Sequence, residues 1–139
     1  MQSTLIYWPL LVQVTLPILV LLLNGKRKAA DRAAGTADFE KSAMDNTAWS
    51  KPVALTSLNL ANQSQLPVLF YVICLVLASL GAVTASTLFL AWTFVVSRYI
   101  HAYAHVNGNN VPVRFRAFVF GALILIALLV LTLLALSSV

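Results

Sequence analysis

The chain has 139 residues, 60% of them hydrophobic and 9% charged, with a formal net charge of +5 and a mean hydropathy of +0.89. A soluble domain carries about a quarter charged residues, so this composition points instead to an integral membrane protein. The cations form no aromatic-interleaved basic stripe, which argues against nucleic acid, and the single Cys74 excludes a disulfide framework or a paired-cysteine motif.

The first apolar segment, about 4–23, has no charged leader and no small-residue cleavage site, so it reads as a retained helix. Pro9 and Pro17 are tolerable kinks within a bundle. A polar segment over 24–57 follows, flexible or partly helical. The second span, about 58–80, starts with polar turns, and its buried part begins near Leu66. After a tight turn around Gly81 comes the third span, about 83–104. The stretch VNGNNVP turns the chain back, with Asn and Gly supplying turn chemistry and Pro112 blocking helix on its N-terminal side. The fourth span, about 114–136, is almost purely aliphatic. Each is long enough to cross about 30 Å of hydrocarbon, which predicts an all-α, up-and-down four-helix bundle in contact with membrane lipids.

Charge orients these spans. Lys26, Arg27, Lys28, Arg32, Lys41 and Lys51 lie in the first loop, while Arg98, Arg114 and Arg116 flank the third connection. Four crossings put both regions on one side, which the positive-inside rule makes cytoplasmic. Both termini are then expected outside the cytoplasm. A bundle this small encloses little room, so any ionisable cluster is expected at a boundary between subunits.

The candidate site lies around that third connection. Arg98, His101 and His105 are spaced i, i+3 and i+7, on one face of a helix. An intramembrane Arg costs about 2.5–3.5 kcal/mol at mid-depth on insertion scales, so Arg98 either snorkels to the headgroups or serves a function. Arg114 follows the Pro-Val step and returns near the end of helix three, where it could frame an anionic pocket with Arg98. Arg116 is read as an interfacial anchor. Asn62 and Gln65 share a face near the cytoplasmic end of the second span, where they could bond each other, cap a neighbour or meet a polar ligand. Tyr71 lies deeper, as a packing residue. The two histidines have no carboxylate or cysteine beside them, since all four acidic residues lie in the first loop. Cross-helix hydrogen bonding is therefore preferred to a metal site.

The stretches NQSQLPVLFY (62–71), AWTFVVSRYIHAYAH (91–105) and NNVPVRFRAF (109–118) resemble the membrane-associated proteins in eicosanoid and glutathione metabolism, the MAPEG family, and most nearly its bacterial branch. The resemblance implies a homotrimer of four-helix subunits in a bacterial inner membrane, with glutathione bound as co-substrate between subunits near the cytoplasmic face. It implies that Arg114 activates the thiol, a cation beside a thiol favouring the nucleophilic thiolate. By the same resemblance Asn62, Gln65, Arg98, His101 and His105 bind the tripeptide. Four positions depart from the family pattern. Leu58 and Ala61 stand where basic residues precede the matching asparagine, Gln65 stands for a glutamate, and Phe118 for an aromatic hydroxyl. Two functions follow as alternatives: a glutathione transferase or peroxidase acting on lipophilic electrophiles, or a non-catalytic scaffold or lipid-binding protein that keeps the fold.

Overall fold

The computed structural model describes residues 2–138, and all regular structure among them is helical. A 3₁₀ turn over Ser3–Ile6 leads into α1 (Tyr7–Ala33), followed by a short α2 (Phe39–Ser42) and a second 3₁₀ turn at Asn46–Ala48. Then come α3 (Lys51–Asn62), α4 (Leu66–Ser79), α5 (Ala85–Val106) and α6 (Val111–Ser137).

Local chemistry accounts for where these helices begin and end. Pro9 sits in the first turn of α1, where its missing N–H costs nothing. The helix runs on to Ala33, well beyond the apolar stretch, because GKRKAADRA supplies Ala, Lys and Arg, which propagate helix well. Gly35, at φ 69°, follows its end. In the polar segment, the Asp38 and Asp45 side chains accept backbone N–H bonds that start α2 and the second 3₁₀ turn. Hydrogen bonds from the Thr47 hydroxyl and N–H hold the Asp45 carboxyl below its usual range. Much of the segment read as a polar loop is therefore helical.

The second span, expected as one helix over about 58–80, is two. The helical ladder breaks at Gln63–Gln65, with Gln65 at φ −102°, ψ −109°, and Pro67 opens α4 near its first position. A proline there cannot donate to the preceding turn and disfavours helix at the residue before it. At the other end, Gly81 at φ 64° turns the chain. Thr84 and Thr87 then exchange capping bonds that start α5. Between α5 and α6, Gly108 and Asn109 both adopt positive φ (85° and 57°), and the Asn110 side chain caps the N–H of Val113 at 3.2 Å.

Three helical stretches are long and apolar enough to cross a membrane: Ser3–Ala33, Lys51–Ser79 across its break, and Val111–Ser137. The segment expected as the third span is α5, whose polar residues set it apart from these three. It packs most broadly on α6 and also meets α1 and α3. Gly121 of α6 makes the closest approach, since a Cβ there would sit 2.8 Å from Ser97 Oγ.

The interior is layered. One hydrophobic cluster joins Ile6, Phe70, Leu77, Ala91, Phe94 and Leu128, with the Phe70 and Phe94 rings stacked at 4.5 Å. A second, smaller cluster joins Leu16, Val20 and Ala102. Along α1 and α5, Gln13 and Arg98 fall between residues of the two clusters, and both are fully buried.

Candidate functional site

Arg98 is 0% exposed within a single chain, with the Phe118 ring 5.8 Å from its guanidinium carbon. One turn later, His101 Nδ1 lies 2.9 Å from the backbone carbonyl of Arg114. A carbonyl can only accept, so Nδ1 donates and the Nε2 of a neutral ring keeps a free lone pair. His105 is held the opposite way. Its Nδ1 faces the side-chain amides of Asn59 (3.3 Å) and Asn62 (3.4 Å). The Asn59 amide is itself oriented, because its Oδ1 accepts from Gln63 Nε2 at 3.0 Å. Asn59 therefore presents its N–H to His105, whose Nδ1 accepts. The two imidazoles stand edge to face with centroids 5.8 Å apart.

Arg114 is half-buried at the start of α6, and its Nη1 donates to Asn109 Oδ1 at 2.7 Å. The same left-handed turn that reverses the chain thus steers this guanidinium. Arg116 is exposed. It joins Val96, Ile100, Val113, Ala117 and Phe120 in lining a largely apolar groove of about 450 Å³ between α5 and α6. A second apolar groove, about 380 Å³, runs between α4 and α6 past Leu69, Val72 and Leu125.

Of the residues singled out from the sequence, Arg98, His101, His105, Asn62 and the backbone of Arg114 converge on the end of α5. Gln65 does not join them. It is exposed at the α3–α4 break and its side chain makes no capping bond. Size alone suggests a subunit boundary for this cluster, yet a single chain already encloses its three α5 side chains. Arg98, His101 and His105 are 3% exposed or less inside one subunit, because α3, starting early at Lys51, covers α5 with Asn59. Phe118 faces both Arg98 and His101, at 5.8 and 6.0 Å, without a hydroxyl to offer either.

Four contributors escaped the sequence reading. Gln13 on α1, Asn59 on α3 and Gln63 just past the end of α3 are buried polar residues, the first visible as a lone amide inside an apolar run. Arg27 is the fourth. Its two terminal nitrogens donate to the carbonyls of Pro52 (2.9 Å) and Val106 (3.0 Å), tying α1 to the start of α3 and the end of α5. No cluster of three or more His, Cys, Asp or Glu side chains that could hold a metal occurs among the described residues.

A sequence profile of the MAPEG family matches residues 5–134, nearly the whole chain. The chain belongs to the MAPEG family. No curated protein and no solved structure matches it. Family membership and the three long apolar helices together make this MAPEG protein an integral membrane protein.

Proposed function

We propose that this MAPEG protein uses a glutathione-type thiol on lipophilic electrophiles, as a transferase or peroxidase. The observation that carries the reading is the half-buried Arg114, whose carbonyl orients His101 and whose helix also walls two apolar grooves. In the transferase step the thiol loses its proton to solvent at the cytoplasmic face, and the Arg114 cation stabilises the thiolate. The sulfur then bonds the electrophilic carbon, and the leaving group departs with the electron pair. Asn62 and the exposed Gln65 meet the peptide's amides, while the buried His101 and His105 position Arg114 and Asn62 from behind.

The assembly that fits this reading is a homotrimer of subunits crossing the membrane four times, with α5 as the third crossing. The charge distribution favours both termini outside the cytoplasm of a bacterial inner membrane. Arg98 and its polar neighbours lie where a wholly lipid-facing helix could not carry them, so α5 crosses with that face turned inward and its apolar face, Phe89, Val96 and Tyr103 among it, outward.

A second reading, a non-catalytic scaffold or lipid-binding protein, is favoured by exposed Gln65 and by Phe118, which supply neither a carboxylate nor a hydroxyl. Purified protein assayed with glutathione and an aromatic electrophile separates the two. The enzyme reading predicts turnover that Arg114→Ala lowers by at least about tenfold, the loss of one charged stabilising contact. Equal, near-zero rates in both proteins reject it.

A further inference from the structure

Several polar atoms sealed inside the subunit meet no partner among the described residues: all three guanidinium nitrogens of Arg98, both carboxamide atoms of Gln13 and Oε1 of Gln63. Arg98 and Gln13 are 0% exposed and Gln63 is 5% exposed. Arg98 and Gln13 share a level. Tyr99, next to Arg98, bonds the Val12 carbonyl at 2.8 Å and the Thr15 hydroxyl at 2.6 Å, on either side of Gln13. Pro17 has no N–H, so the backbone carbonyl of Gln13 also lacks its helical donor.

Water can satisfy a hydrogen bond, but it cannot neutralise a buried charge. Nor do the described residues supply a counter-ion. The chain's four acidic residues, Asp31, Asp38, Glu40 and Asp45, all lie in the polar segment and the last turns of α1. Asp31 there accepts the Ser50 N–H at 3.0 Å, while Asp38 and Asp45 cap turns. A second copy cannot supply it either, because Arg98 has no surface left to touch. The Phe118 ring face offsets the charge only in part.

We propose that this interior layer is a receptor for one compact oxyanion, a carboxylate or phosphate group, gripped by the Arg98 fork with the Gln13 amide beside it. The planar guanidinium matches two oxygens at once, and Gln13 adds a neutral donor from the facing helix. The group arrives free from the cytoplasm or as the head of a lipid; the chemistry that binds it is the same. The site stands whether or not a thiol is the substrate, and it is tested without glutathione.

The test uses the full chain in a neutral detergent, with ionic strength held by sodium chloride while acetate or inorganic phosphate is raised. For a free anion, the unfolding midpoint of the wild type rises saturably. For a lipid head, the wild type instead retains an anionic lipid through purification, seen by mass spectrometry of its organic extract. In either arm Arg98→Met abolishes the effect, and Gln13→Leu weakens retention or raises half-saturation about tenfold, the worth of one hydrogen bond to an ion. Should Arg98→Met fail to fold, Arg98→Lys keeps the charge without the fork and serves in its place, with weaker anion dependence expected. Neither a saturable shift nor retained anionic lipid in the wild type overturns the proposal. So does an effect undiminished in the Arg98 variant that folds, or in Gln13→Leu.

Discussion

At the scale of single residues, close packing and paired donors dominate. Gly121 has no room for a methyl because Ser97 Oγ, fixed by its bond to the Phe94 carbonyl at 2.7 Å, stands in the way. Helix propensity alone favours Ala over Gly by about 1 kcal/mol, whereas overpacking costs about 1–3 kcal/mol. Gly121→Ala should therefore lower stability in detergent. Adding Ser97→Ala removes the clash and should lift the double variant above Gly121→Ala, since the remaining neighbours lie at 3.8 Å or more. Arg27 is the second test. Losing its two carbonyl bonds should cost about 1–3 kcal/mol, and Arg27→Lys should recover little, because an ammonium cannot span two carbonyls as the guanidinium fork does. Thermal unfolding of the purified variants checks both.

Among the elements, the turn between α5 and α6 couples fold to site. Asn109 accepts a left-handed φ and holds Arg114 Nη1. Asn109→Gly keeps the backbone freedom but deletes the oxygen that steers the guanidinium. It should leave the unfolding midpoint nearly unchanged while moving the kinetic constants for the thiol, whereas a purely structural role for Asn109 would leave those constants alone. This hairpin was legible in the sequence because Asn-Gly-Asn-Asn-Val-Pro is unambiguous turn chemistry. The α3–α4 break was harder to see. Pro67 marks it, but hydropathy runs smoothly through Leu66 and Val68, and a proline inside an apolar span reads equally well as a tolerated kink. The early start of α3 was hidden too. Lys51 and Pro52 look like loop residues, and only tertiary cover on α5 reveals Asn59 as the partner of His105.

For the whole molecule, composition alone established the membrane class, and charge asymmetry alone suggested an orientation. Burial was not legible. The i, i+3, i+7 spacing put Arg98, His101 and His105 on one face, but nothing in the chain told whether that face met a second subunit or its own α3. The proposed topology has a direct test. With Cys74→Ser as background, a cysteine at Met44, 95% exposed in the polar segment, should react with an impermeant thiol reagent only after the cytoplasmic face is opened. A cysteine at Gln2 should react in intact cells. The reverse pattern would invert the orientation and put Arg114 on the wrong side for a cytoplasmic thiol.

The account turns on whether the end of α5 and the start of α6 receive a thiol peptide. The measurement that bears on this most directly is a glutathione titration of the unfolding midpoint, run on wild type and Arg114→Ala in buffer already saturated with phosphate. Binding predicts a saturable rise in the wild type, about 2.7 kcal/mol of added stability at a hundredfold excess over Kd, and a smaller rise in Arg114→Ala. A wild-type midpoint that stays flat across the titration would contradict it.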